Sequence, residues 1–175
     1  GIVKVDSFLN HQVDPAITER MAAEMETRFR DHRISNVTRV LTAEVSGIPV
    51  ALQVAKQFGA QLIYARKSQS HSMTGTYYVA ETVSRTRGTI SDLMVDRRFL
   101  GPSDQVLVID DFLATGATLR ALSSLVHESQ ACLCGIGCAI EKPSEGGREA
   151  LADLKVPIVT LAKILFGDGG LEVIA

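Results

Sequence analysis

The sequence predicts an α/β domain built on a mostly parallel sheet flanked by helices, and three observations carry that prediction. Strand-like and helix-like patterns alternate along most of the chain. Residues 37–65 read as strand, helix, strand, a βαβ unit that implies parallel neighbours. The run Gln105-Val106-Leu107-Val108-Ile109 is almost continuously apolar, as a central strand covered on both faces has to be.

Taken in order, Asp14-Pro15 opens the first helix: aspartate suits the N-cap, and proline suits a first turn whose N–H has no partner to lose. The helix runs to about Arg30, with Ile17, Met21 and Met25 at four-residue spacing. Val37 to Leu41 follows as a strand, Thr42 to Gly47 as its exit loop and Pro49 to Phe58 as a helix. Gly59 stops that helix as a C-terminal cap, and Gln61 to Ala65 is the next strand. Residues 67–91 interrupt the alternation. They are rich in Ser, Thr, Gly and Tyr, with Thr74-Gly75-Thr76 as turn chemistry, and read as a mobile loop with a hairpin or edge strands. After the apolar run, Asp110 to Thr118 reads as a loop and Leu119 to Ser129 as a helix. Ala131 to Ile140 is a second buried strand, Arg148 to Leu154 a short helix and Pro157 to Leu161 a last strand. No repeat or low-complexity linker divides the chain, so residues 1–175 read as one domain.

Composition sets outer bounds. Hydrophobic residues make up 46% and charged residues 22%, enough apolar material for a sizeable core, which aliphatic side chains must build because there is no Trp. A net charge of −2 argues against a protein that coats nucleic acid, which needs a basic excess to displace counterions. It leaves room for a small anionic ligand in a locally positive pocket. No apolar run is long enough to span a bilayer, and no secretory signal is visible, although the chain starts at Gly1 rather than Met. The three cysteines, Cys132, Cys134 and Cys138, occupy alternate positions of a strand and are expected to line up as small buried hydrophobes. An odd, apolar set of this kind suits a reducing cytoplasm.

The chemistry concentrates between Val106 and Thr118. A hydrophobic strand ends in two carboxylates, Asp110 and Asp111; a small-residue loop, Ala114-Thr115-Gly116-Ala117-Thr118, follows; then a helix begins. Ligands of open α/β sheets bind outside the carboxyl ends of the strands. A helix start offers unpaired N–H groups and a positive dipole end, and small residues let a phosphate approach them. Thr115 and Thr118 add hydroxyl donors. This is not a P-loop, because no Gly-Lys-Ser/Thr follows. Carboxylates beside a phosphate would repel it unless they have another task, and sugar hydroxyls or Mg²⁺ supply one. Phosphate, sugar and metal together describe a phosphorylated ribose.

That segment resembles the phosphoribosyl pyrophosphate motif of the type I phosphoribosyltransferases. The resemblance implies that Asp110 and Asp111 hold the ribose hydroxyls, directly or through Mg²⁺, and that Ala114 to Thr118 hold the 5′-phosphate. Some purine members carry an aspartate just before the Thr-Gly. Here Ala114 stands in its place, as in the adenine and xanthine branches, and the obvious general acid for the base is missing. Glu44-Val45-Ser46-Gly47 resembles the family's pyrophosphate loop, with Glu44, Ser46 and Gly47 as its contacts, and Arg66-Lys67 resembles the basic strand end that faces pyrophosphate, often across a homodimer interface. Residues 67–91 resemble the flexible loop that closes over the site, with Glu81 near a glutamate that adenine members use as an acid.

Lys4 to Gln12 and Ala139 to Lys142 are similar to the base-binding hood of bacterial xanthine phosphoribosyltransferases. By that resemblance residues 1–12 and about 142–175 form the hood, and Val3, Asn10 and Lys142 contact the base. Val3 stands where the family usually has Leu. Xanthine has a second carbonyl that wants a donor and is partly anionic near neutral pH; lysine can only donate, so Lys142 favours a 6-oxopurine. The implied activity is cytoplasmic purine salvage with Mg²⁺. Two alternatives stay open: an adenine-specific transferase, because Ala114-Thr115-Gly116 fits that branch, and a regulator of the same fold that senses phosphoribosyl pyrophosphate.

Overall fold

A computed structural model describes residues 5–68, 75–83, 90–167 and 170–175. The elements are α1 (Pro15–Asp31), β1 (Arg39–Ala43), α2 (Ile48–Phe58), β2 (Gln61–Ala65), β3 (Tyr77–Val83), β4 (Ile90–Asp96), β5 (Gln105–Leu113), α3 (Ala117–Glu128), β6 (Cys132–Glu141), α4 (Gly147–Ala150), β7 (Ile158–Gly167) and β8 (Gly170–Ile174). One sheet has the order β2-β1-β5-β6-β7-β8, and every pairing in it is parallel except β7 with β8. β3 and β4 form a separate antiparallel hairpin. The mostly parallel α/β sheet expected from the sequence is present.

Each face of the sheet has its own core. On one side α1 and α2 lay Met25, Phe29, Val50 and Val54 against Leu107 and Ile109 of β5. On the other side α3 and the hairpin bring Leu122, Leu125, Tyr78 and Leu93 against Val106 and Val108. β5 is therefore apolar at successive residues because both of its faces are covered.

The ends of α1 and α2 follow the residues that cap them. Asp14 accepts hydrogen bonds from the N–H groups of Ala16 (2.9 Å) and Ile17 (3.0 Å). Gly59 takes the left-handed conformation (φ 64°) that lets its N–H close the end of α2. Asp14→Ala is expected to lower stability by about 1 kcal/mol in denaturant melts, the usual loss of an N-cap. The buried row of α1 is Thr18, Ala22, Met25 and Phe29; of the expected stripe Met25 is fully buried, while Ile17 and Met21 lie at its half-buried margin.

The structure departs from the sequence expectation at several strand boundaries and at the cysteines. β1 begins two residues late, at Arg39. β5 does not end at Ile109: β6 continues to Glu141 and pairs with Asp110, Phe112 and Leu113, so both carboxylates lie within the strand and only the turn at residues 114–116 separates it from α3. β7 is not the last strand, because β8 folds back on it. The cysteines do not share a face. A bulge leaves Cys134 without a register partner between Leu133 and Gly135, so Cys134 packs toward α1 and α2 while Cys138 packs toward α3. Cys132 is exposed rather than buried.

Candidate active site

β5 delivers Asp110 and Asp111 to the carboxyl end of the sheet, and α3 starts at Ala117 after Gly116 (φ 81°) with no side chain capping it. The nearest substitute for a cap is the Thr115 hydroxyl, 3.5 Å from the Ala117 nitrogen. The first turn of α3 therefore keeps N–H groups free for an anion. Asp110, Asp111, Phe112 and the segment Ala114–Thr118 line a cleft of about 260 Å³, closed on its other sides by Lys67 from the end of β2 and by Thr82 and Ser91 from the hairpin. Thr82 and Ser91 are register partners on β3 and β4.

The two carboxylates differ. Asp110 is buried, its Oδ1 accepting from the Asp111 N–H at 2.9 Å, whereas Asp111 is half-buried and accepts from the Phe112 N–H at 3.0 Å. Burial pushes the Asp110 carboxyl well above the usual carboxylate range, and the charge of Asp111 pushes the same way; the backbone N–H and Lys67 pull back only in part. A group arranged like this gains from a partner that donates hydrogen bonds or positive charge.

The loop after β1 lies against Asp110. An added Cβ at Gly47 would stand 2.7 Å from Asp110 Oδ1 and 3.3 Å from Asp110 Cα, and would strike the Thr42 hydroxyl. Glu44 fastens the loop to β2: its N–H donates to Ala65 O at 3.1 Å and its Oε1 accepts from the Lys67 N–H at 2.7 Å. The Glu44–Val45 peptide is cis. Ser46 is half-buried beside Gly47.

Arg66 and Lys67 separate. Lys67 lines the cleft; Arg66 forms a backbone bridge to Met94 of β4 and lines a different groove with Tyr64, Tyr77 and Phe99. Among the described residues its Nε makes no hydrogen bond, and Glu44 Oε2 lies 3.6 Å away. The base contacts expected from the sequence are not assembled around the cleft. Asn10 is exposed and donates to Asp6 at 3.3 Å. Lys142 sits over the Phe112 ring (5.2 Å to its centre), so it borders the cleft through Phe112. Val3 and the stretches 69–74 and 84–89 of the expected closing loop lie outside the described residues, and Glu81 on β3 is exposed. Phe112, Thr82 and Ser91 were not singled out from sequence. Phe112 stands between the carboxylates and the small-residue loop, the one signal that marked it.

The thiols of Cys134 and Cys138 are poor nucleophiles. Burial drives Cys138 up, and burial beside Cys132 lifts Cys134 to about 11.

An α/β sheet that presents paired acids, an uncapped helix start and a cation around one small cleft has the elements that a phosphorylated sugar requires. The chain belongs to the phosphoribosyl transferase domain family, whose model matches residues 10–166. It is 46% identical over 170 residues to the xanthine phosphoribosyltransferase of Deinococcus deserti, covering 97% of this chain and 86% of that protein. It is 40% identical over 163 residues to that of Moorella thermoacetica, covering 93% and 82%. In fold it is similar to an adenine phosphoribosyltransferase from Thermoanaerobacter pseudethanolicus, with a TM-score of 0.71 and 21% identity over 85% of this chain and 81% of that one. An adenine enzyme from Giardia lamblia, complexed with 9-deazaadenine, gives a TM-score of 0.72 and 24% identity over 85% and 80%. No helix among the described residues is long and apolar enough to cross a membrane.

Proposed function

We propose that this chain is a purine salvage enzyme that transfers the 5-phosphoribosyl group from phosphoribosyl pyrophosphate to xanthine, giving xanthosine 5′-monophosphate and pyrophosphate. The observation that carries the reading is the pairing of Asp110 and Asp111 with the uncapped α3 start in one cleft, in a chain with full-length likeness to xanthine enzymes. Asp110 and Asp111 hold the ribose hydroxyls, and the segment Ala114-Thr115-Gly116-Ala117-Thr118 holds the 5′-phosphate through its amides and hydroxyls. Lys67, with Glu44, Ser46 and Gly47 of the adjacent loop, faces the pyrophosphate. Arg66 joins them only from a partner subunit, because within one chain it lines the other groove.

During transfer the bond from C1 to pyrophosphate breaks, pyrophosphate leaves with the electron pair, and a purine nitrogen forms the new bond with inversion. Positive charge grows on the ribose ring as this happens. The two carboxylates offset that charge, and the amides of α3 fix the sugar by its phosphate. Thr82 and Ser91 close the opposite wall. The donor set fits Mg²⁺ of the kind held largely by substrate oxygens and water. Two neighbouring carboxylates are present, and no cluster of three or more His, Cys, Asp or Glu stands ready to cage a metal among the described residues. When bound, Mg²⁺ supplies Lewis-acid stabilisation of the leaving pyrophosphate.

Phe112 offers an aromatic face for the base, and Lys142 above it supplies a donor that suits a 6-oxopurine better than adenine. Asn10 and Val3 complete the base contacts in this reading. A cytoplasmic homodimer belongs to it as well, with the exposed Tyr64 and Phe99 beside Arg66 as its contact.

The test is a base panel with phosphoribosyl pyrophosphate and Mg²⁺, following nucleotide formation with xanthine, guanine, hypoxanthine and adenine. Xanthine is expected to lead. Lys142→Ala is expected to raise KM for xanthine about tenfold, the usual cost of an unmet charge-assisted hydrogen bond, with KM for phosphoribosyl pyrophosphate little changed. Turnover of adenine alone would refute the base assignment and keep the reaction. Binding of the sugar donor without turnover of any base would favour the regulator.

A further inference from the structure

Behind the small-residue loop, residues 142–153 form a brace that touches both ends of the cleft. Lys142 N–H donates to Leu113 O at 2.8 Å, and five residues later Gly147 presses on the turn between β5 and α3. We propose that Gly147 is a positioning residue for the 5′-phosphate, its bare Cα being the seat on which the turn at residues 114–116 rests. The inference rests on reading Ala114 to Thr118 as the phosphate loop.

The fit leaves no room for a side chain. A Cβ on Gly147 would fall on the carbonyl oxygen of Ala114, 2.7 Å from Leu113 Cδ1 and 2.9 Å from the Gly116 nitrogen. Two of those three atoms are loop backbone, which cannot rotate away as a side-chain end can. Seen from the loop, a Cβ on Gly116 would lie 3.0 Å from Gly147 O and 3.3 Å from Leu151 Cγ. The two glycines thus meet backbone to backbone. Gly116 also needs its left-handed conformation (φ 81°), whereas Gly147 lies outside that region, so alanine at 147 suits the backbone and lacks only space.

Something must yield to an added methyl, and the anchoring decides what. The brace is tied on three sides. Arg148 donates to both oxygens of the buried Glu141 carboxylate, at 2.8 and 2.7 Å, and to Ile158 O at 3.0 Å. The Thr160 hydroxyl donates to the same carboxylate at 2.8 Å. Arg148 holds the Glu141 carboxyl below the usual range, as expected of a fork-to-fork pair. Further along, Arg120 of α3 pairs with Asp153 at 2.6 Å and also donates to Ala150 O. On the loop side the Gly116 carbonyl accepts from the Arg120 N–H at 2.8 Å, but the one side-chain hydrogen bond of residues 114–116 among the described residues is the 3.5 Å approach of the Thr115 hydroxyl to the Ala117 N–H. The methyl therefore displaces the loop, and with it the amides at the start of α3 that hold the phosphate. A shift of about 1 Å in a positioned group costs on the order of a hundredfold in rate. Relaxation of the loop reduces that, so an effect of about tenfold is expected.

The experiment is calorimetric titration with ribose 5-phosphate, which needs no base and no turnover, followed by steady-state kinetics with phosphoribosyl pyrophosphate and xanthine. Gly147→Ala is expected to weaken ribose 5-phosphate binding and raise KM for phosphoribosyl pyrophosphate about tenfold, leaving KM for xanthine within about threefold. Arg120→Met unties the brace at a partly exposed ion pair and is expected to shift the same two quantities about threefold in the same direction. It carries the test if the alanine variant does not fold. Ribose 5-phosphate affinity within about twofold of wild type in a folded Gly147→Ala protein would overturn the proposal. So would an equal rise in both Michaelis constants, or an unchanged Arg120→Met protein beside an unfolded alanine variant. If wild type binds ribose 5-phosphate but turns over no base, the functional reading fails, and the titrations still decide the role of Gly147.

Discussion

Asparagine in place of Asp111 is expected to lower kcat/KM for phosphoribosyl pyrophosphate by about two to three orders of magnitude, the usual cost of removing one group aimed at charge in a transition state. The substitution keeps the shape. Asp111 accepts from the Phe112 N–H at 3.0 Å, and an amide oxygen accepts there equally well. What disappears is the negative charge beside the ribose as positive charge grows on it. Asp110→Asn is expected to lose activity to a similar degree for a different balance of reasons. Burial and the neighbouring Asp111 already disfavour ionisation of Asp110 in the free protein, so the neutral amide relieves an unfavourable term, and the melting temperature is expected to hold or rise. Loss of activity without loss of stability separates a role in the reaction from a role in the fold. Steady-state kinetics beside thermal melts checks both. Activity within about threefold of wild type in both variants would return the pair to polar strand-end groups.

How far this site was legible in the sequence depended on distance along the chain. The carboxylates, the small-residue loop and the start of α3 are contiguous, so one stretch of text carried their chemistry. The cap of α1 at Asp14, the stop of α2 at Gly59 and the bounds of β2 are equally local and appear as expected. What failed depends on partners far away in sequence. β5 runs four residues past Ile109 because β6 continues beside it, a fact that no property of Asp110 or Asp111 announces. The cysteine alternation fails because one bulge resets the pleat. Thr82 and Ser91 reach the cleft only through the hairpin, and Gly147 reaches the loop only because the turn after β6 folds back under it. Adjacent residues can also part company: Arg66 and Lys67 follow a strand whose successive side chains point opposite ways, so one basic dipeptide serves two grooves.

Gly47→Ala is expected to have the second large effect, again through close approach of backbones. Gly47 has an ordinary helical conformation (φ −71°), so alanine costs nothing in backbone freedom. Its methyl would stand 2.7 Å from Asp110 Oδ1 and 3.3 Å from Asp110 Cα, and would overlap the Thr42 hydroxyl. Among the described residues Thr42 has no hydrogen-bond partner for that hydroxyl and can turn it; the Asp110 backbone is held by its pairing with Cys138 of β6 within a central strand and yields less. The loop at residues 44–47 must therefore rise, straining the Glu44 bonds to Ala65 and Lys67 and drawing Lys67 from the cleft. Overpacking of this kind costs about 1–3 kcal/mol of stability, and kcat/KM for phosphoribosyl pyrophosphate is expected to fall by about a hundredfold, as for a misplaced reacting group. Thr42→Ala provides the control. Combined with Gly47→Ala, it removes the clash with the hydroxyl and leaves the clash with Asp110. Stability is then expected to recover in part while activity stays low, because the two losses have different neighbours as their cause. Full recovery of activity in the double variant would place the critical contact at Thr42 and leave the carboxylate untouched by the loop.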